Sequence, residues 1–240
     1  MIFEKFVNFI DKNYHHKRLI KFLNNYKIDL IIDVGSHKGE FIKNATKYIP
    51  FKKAYTFEPQ KYIFEILKKN LNKDNRIMHN NIGIGDIKGK KIITINKLTS
   101  TSTLSEIDED SFFLKIKNLL LKQKKENDSY EVETETIDEY FKDLELKNSL
   151  LKIDVEGYEL NVLKGAQNTI KKIDFVLIEN QFFNLYKNSD FKECDNFLIN
   201  NQFTLIKKFR FPTFHYEDRL YKKKINLNNV LLNLISTQAI

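Results

Sequence analysis

Apolar residues run through this chain in two rhythms. Leu30 to Val34 is a short apolar run of the kind that forms a strand buried on both faces, and Phe41, Ile42, Ala45 and Ile49 then recur at helical spacing. A second strand is expected from Lys53 to Phe57. Pro59 closes it and opens a helix with Tyr62, Ile63, Ile66 and Leu67 on one face. From Arg76 the pattern predicts a third strand leading into a hairpin. Gly85-Asp86 and Lys88-Gly89 supply its turns, and Ile92, Ile93 and Ile95 the next strand. Leu150 to Ile153 and Phe175 to Ile178 read as two more strands, with a helix through Leu160, Val162 and Leu163 between them. Strands alternating with helices make an α/β fold built on a mostly parallel sheet.

The flanks read as additions to one domain spanning residues 1–240, with a core at 28–180. Residues 1–27 carry an amphipathic pattern (Phe3, Phe6, Val7, Ile10) that packs on the sheet, pairs with another subunit or lies on a membrane, the first being the expectation. Residues 99–129 hold a Ser/Thr-rich turn and a Lys-rich helix from Phe112 to Lys125, either a substrate lid or a surface insertion. Residues 181–240 complete the sheet, with Phe203 to Phe209 and Leu220 to Leu234 as antiparallel hairpin strands.

Composition narrows the classes. With 42% hydrophobic and 30% charged residues the chain can build a core. Cys194 is its single cysteine, so an internal disulfide and a thiolate zinc site are both excluded. No apolar stretch reaches the ~18 residues of a membrane span, and the N-terminus lacks a signal-peptide pattern, so a cytoplasmic protein is expected. The net charge of +8 invites an anionic partner such as a membrane surface or a nucleotide-linked molecule. Among the 40 basic residues only Arg18, Arg76, Arg210 and Arg219 are arginine, which argues against sequence-specific nucleic-acid recognition.

The seven glycines fall in three clusters, and these mark the candidate chemistry. After the first strand comes Asp33-x-Gly35-x-x-x-Gly39, a strand–turn–helix opening of the nucleotide-binding kind. His37 stands where a dinucleotide fingerprint needs its second glycine, which disfavours a pyrophosphate and hence a nicotinamide-dependent dehydrogenase. Glu58 follows Asp33 by 25 residues, near the offset at which an acid closes the second strand and binds ribose hydroxyls. Taken alone it reads equally well as a charge favoured by a helix N-terminus. Asn80, Asn81 and Ile82, at the end of the third strand, are placed to hold an adenine edge and face, or to cap backbone. Asp154, Glu156 and Glu179 put carboxylates at further strand ends, on the rim where ligands bind in open α/β sheets.

Four segments together resemble the FkbM family of S-adenosylmethionine-dependent methyltransferases: Ile32-Asp-Val-Gly-Ser-His-Lys-Gly, Phe57-Glu-Pro, Glu133-Thr-Glu-Thr-Ile-Asp-Glu-Tyr and Leu151-Lys-Ile-Asp-Val-Glu-Gly-Tyr-Glu-Leu. The last is the most specific. Ser36-His37 departs from the Ala-Asn usual in the family. The resemblance implies a Rossmann-like class I methyltransferase fold, a seven-stranded, mostly parallel sheet with helices on both faces and a C-terminal antiparallel hairpin. It also implies O-methylation of a sugar or other small hydroxylated metabolite.

S-adenosylmethionine suits the same residues. Glu58 and Pro59 would face its ribose, Asn81 and Ile82 its adenine, and the turn through Gly35, Ser36 and Gly39 its methionine tail, with Asp33 and Asp154 supplying a favourable field for the sulfonium. A sugar hydroxyl is a weak acid, so a base or a divalent metal is required, although no metal ligands are singled out. Asp154 and Glu156 lead as acceptor contact or base, followed by His37. Competing readings are a nucleic-acid methyltransferase, against which stands the absence of any Pro-Pro segment, the dehydrogenase already mentioned, and a scaffold without catalysis. Self-association is left open.

Overall fold

A computed structural model of the chain describes residues 15–95, 103–105, 128–182, 191–211 and 216–224. Strand β1 (Leu30–Val34) is buried along its whole length and lies in the interior of the main sheet. It pairs in parallel with β2 (Lys53–Phe57) on one side and β7 (Ser149–Ile153) on the other. Its Leu30, Ile32 and Val34 point into one apolar layer and Ile31 into the other, the two-faced burial that an uninterrupted apolar run requires. The full order is β3-β2-β1-β7-β8-β10-β9, with β3 (Ile77–Asn80), β8 (Phe175–Gln181), β9 (Phe203–Arg210) and β10 (Tyr216–Lys223). Only the pairings of β10 with β8 and β9 are antiparallel, so the seven-stranded sheet with its C-terminal hairpin is the one expected.

Helices cover both faces. Helices α1 (His16–Leu23), α2 (Glu40–Tyr48) and α3 (Lys61–Leu71) bury Leu19, Ile20, Phe41, Ile42 and Leu67 with Ile31, Leu150 and Leu177. On the other face, α4 (Ile137–Tyr140), α5 (Glu159–Lys164) and α6 (Phe191–Asn200) bury Ile137, Val162, Leu163 and Leu198 with Ile32, Leu151 and Val176. Each fully buried aliphatic side chain contributes about 1.5–3 kcal/mol.

The structure departs from the expected pattern in three places. In α3 the inner stripe is Ile63, Phe64, Leu67 and Leu71, while Tyr62 is 76% exposed, because the helix starts at Lys61 and its turn carries Tyr62 outward. The segment after β3 does not fold back on it as a hairpin. Instead β4 (Gly83–Ile84) and β5 (Gly89–Ile95) flank β6 (Asp128–Glu135) in a separate three-stranded sheet. The last strand among the described residues occupies Tyr216–Lys223, so it begins ahead of the expected Leu220, while residues 225–234 of that expected strand lie outside the described residues. Its polar sequence is accommodated because the buried Asp218 accepts a 2.6 Å bond from the fully buried His15 ring. The N-terminal segment packs on the sheet from His16 onward, whereas Phe3 to Ile10 and Phe112 to Lys125 lie outside the described residues. Among the described residues no helix is long and apolar enough to cross a membrane.

Candidate active site

The C-terminal ends of β1, β2, β7 and β8 bring the glycine turn and the rim acids to one edge of the sheet. Gly35 has φ 79°, and a Cβ there would lie 1.8 Å from the Asp154 carbonyl oxygen, so only glycine lets the turn press against the end of β7. The Asp154 amide donates to the Val34 carbonyl at 3.1 Å across the same junction. Ser36 is buried and locks the turn: its Oγ donates to the Asp33 carbonyl (2.7 Å) and accepts from the Phe57 amide (3.1 Å). His37, at the position where a dinucleotide fingerprint has its second glycine, adopts the left-handed conformation (φ 46°). Its Nδ1 lies 3.6 Å from Glu40 Oε2. Gly39, also left-handed, starts α2.

Glu58 sits at the end of β2, 3% exposed. Its two carboxylate oxygens accept the His37 amide (3.0 Å) and the Gln60 amide (2.8 Å). Burial pushes its pKa up to about 7, although these amides and the nearby His37 favour the charged form. Asn81 donates to the carbonyls of Glu58 (2.8 Å) and Pro59 (3.1 Å), holding this loop beside β3, while Ile82 packs half-buried against the core. The end of β2, the glycine turn and the end of β3 are thus joined by hydrogen bonds through Glu58.

At the end of β7 the residues sort differently from their order in sequence. Asp33 is fully buried on β1, with its Oδ1 3.3 Å from the Lys152 ammonium. Burial pushes the Asp33 pKa up against the attraction of Lys152. Lys152 is itself buried and donates to Asp154 Oδ2 at 3.0 Å. Asp154, Glu156 and Glu179 form a cluster in which one carboxylate oxygen of each lies within 4.8 Å of those of the other two, a grouping that could hold a hard cation. The Gln181 amide donates to both Glu156 and Glu179. Burial pushes the Glu179 pKa well above its ordinary value, and the charges of Asp154, Glu156 and Asp218 add to the effect. Glu156 is left-handed (φ 54°), and its carbonyl accepts a 2.6 Å bond from Thr103.

The structure therefore gathers Asp154, Glu156 and Glu179 into one group and joins His37 to Glu58, while Asp33 and Ser36 lie beneath the surface as supports. Three contributors were missed in the sequence. Lys152 interrupts the apolar run Leu151 to Ile153, and that interruption was its visible signal. Glu159, 8% exposed, accepts the amides of Gly157 (3.1 Å) and Val155 (3.3 Å), and burial raises its pKa to about 7. It braces the β7–α5 loop as Glu58 braces the β1–α2 turn. Gln181 had no local signal, because its role arises from its neighbours on other segments.

Comparison with known proteins adds the following. The Methyltransferase FkbM domain matches residues 33–205. A stretch of 33 residues is 48% identical to the hexuronic acid methyltransferase AglP of Haloferax volcanii, covering 14% of this chain and 14% of that protein's length. Among solved structures, TrmK of M. capricolum in complex with S-adenosylhomocysteine is similar at 12% identity, with 88% of this chain and 69% of that chain covered and a TM-score of 0.48. The precorrin-6y C5,15-methyltransferase of Geobacter metallireducens is similar at 7% identity, with 87% of each chain covered and a TM-score of 0.48.

Proposed function

Since the chain belongs to the FkbM methyltransferase family, we propose that it transfers a methyl group from S-adenosylmethionine to a hydroxyl of a sugar or another small metabolite, free or carried on a glycan or nucleotide. The observation that carries this reading is the rim itself. Three carboxylates lie within 4.8 Å of one another at the end of β7 and β8, and the glycine turn presses against the same strand end. The donor set fits the cofactor. Glu58 offers a buried carboxylate for a ribose diol, and the acids around Asp154 outnumber the single Lys152 ammonium beside them, an environment that favours a cation.

Bound there, S-adenosylmethionine would supply an electrophilic methyl group on a sulfonium and leave as the neutral thioether. The protein has to align the acceptor oxygen with that methyl, an effect worth about 7–11 kcal/mol in favourable cases. It also has to receive the hydroxyl proton as the new C–O bond forms and the C–S bond breaks. Asp154 and Glu156 are the groups assigned to that proton, with Glu179 beside them in the same cluster. A polyhydroxylated acceptor matches a rim so rich in hydrogen-bond acceptors. The short stretch shared with a hexuronic acid methyltransferase points to the same class.

The test is transfer of radiolabelled methyl from S-adenosylmethionine to a panel of neutral sugars, hexuronic acids, nucleotide sugars and bulk tRNA, alongside thermal shifts with S-adenosylmethionine, S-adenosylhomocysteine and NADH. The expected result is label in a saccharide and a melting shift of roughly 5–10 °C at ~100 times the dissociation constant of the sulfur nucleosides. Label confined to tRNA, or a shift with NADH alone, would overturn the reading.

A further inference from the structure

A lysine in the middle of a central parallel strand is an expensive choice for a fold that could have placed an aliphatic residue there. Lys152 stands directly opposite Asp33 in the β1–β7 register, and both side chains lie on the sheet face covered by α1 and α2. Its ammonium is 3.3 Å from Asp33 Oδ1 and 3.0 Å from Asp154 Oδ2, and it lies 5.5 Å from the centre of the Phe41 ring. The two carboxylates are not equivalent. The Asp33 side chain has no exposure, whereas that of Asp154 is 32% exposed. One ammonium between two carboxylates leaves one excess negative charge, and the difference in exposure displays it at Asp154.

The geometry points to Lys152 as a positioning residue, which anchored on Asp33 holds the Asp154 carboxylate at the rim to face the cofactor sulfonium. This rests on the S-adenosylmethionine reading above. Other charged groups around the row are Glu179 and Glu156 beside Asp154, and Asp218 on β10, which is engaged by His15. None of these reaches Lys152 at ion-pair distance among the described residues, so Asp33 and Asp154 are the groups that set its place.

The test compares two ligands that differ by one methyl and one positive charge. Dissociation constants of S-adenosylmethionine and S-adenosylhomocysteine are measured by calorimetry on the full chain carrying Lys152→Met, Lys152→Arg, Asp154→Asn or Lys152→Met/Asp154→Asn, with folding checked by circular dichroism. Asp154→Asn is expected to weaken S-adenosylmethionine at least fivefold and S-adenosylhomocysteine less than twofold. Lys152→Met should do the same, Lys152→Arg should restore most of the loss, and the double variant should be no worse than Asp154→Asn alone, because Lys152 acts through Asp154. Equal weakening of both ligands by Lys152→Met would reduce the lysine to a structural role. A gain in S-adenosylmethionine affinity would mean that it merely dilutes negative charge. Either result overturns the proposal.

If Lys152→Met strands Asp33 and fails to fold, Asp33→Leu/Lys152→Met removes both buried charges and is measured in its place. Wild-type protein that bound neither nucleoside would instead overturn the methyltransferase reading, a failure distinct from an unchanged ligand preference.

Discussion

Glu58→Gln isolates the strongest pH effect at the cofactor side of the site. The wild-type carboxyl is 3% exposed and has a pKa of about 7, against 4.5 for a free glutamate. A carboxyl whose pKa is raised by folding contributes stability below its unfolded pKa and loses it as the pH climbs through the folded value. The window here runs from about pH 4.5 to about pH 7. At ~1.4 kcal/mol per pKa unit, the ionised form costs about 3 kcal/mol at pH 8, of which about 2–3 kcal/mol develops between pH 5 and pH 8.

Glutamine keeps the shape and cannot ionise, so the variant should lose that part of the pH dependence. Its amide nitrogen would face either the His37 or the Gln60 amide, which lowers stability by about 1–3 kcal/mol at every pH. The assay is chemical denaturation of both proteins at pH 5 and pH 8. The wild type should lose about 2–3 kcal/mol more than the variant on going to pH 8, a difference of roughly 5–10 °C in melting temperature. Equal losses would show that Glu58 titrates as an ordinary exposed carboxyl, and the buried brace between the glycine turn and β2 would be wrong. Ribose hydroxyls donate to the ionised form, so wild-type affinity for S-adenosylmethionine should also fall up to ~tenfold per unit below pH 7, whereas Glu58→Gln should bind weakly with a flatter profile.

Two further outcomes follow from the same geometry. Glu159→Gln should remove a second pH-dependent loss of the same sign and window, because Glu159 is also buried with a pKa of about 7; denaturation at pH 5 and pH 8 reads it, and a slope unchanged from wild type would contradict it. Gly35→Ala should lower stability by about 2–5 kcal/mol, since the left-handed backbone (φ 79°) and a Cβ 1.8 Å from the Asp154 carbonyl oxygen must both be accommodated; a thermal melt within 2–3 °C of wild type, less than ~1 kcal/mol, would refute the close approach.

What local sequence determined here is whatever a strand or a turn decides within its own few residues. The apolar run Leu30 to Val34 requires a strand covered on both faces, and Gly35 and Gly39 mark left-handed positions of the turn that follows. The acids Glu58, Asp154 and Glu179 at strand ends were legible for the same reason, because parallel strands share one C-terminal rim. Tertiary structure decided which of those acids meet water and which meet a counter-ion. Asp33 and Asp154 look alike as letters beside a strand, yet cross-strand register puts one beneath Lys152 and the other at the surface. The Gln181 bridge, the insertion of β6 between β4 and β5, and the bond from His15 to Asp218 join segments 25 to 203 residues apart. Hydrophobic periodicity carries no information about such partners, because it records which face of an element is buried and not which other element covers it.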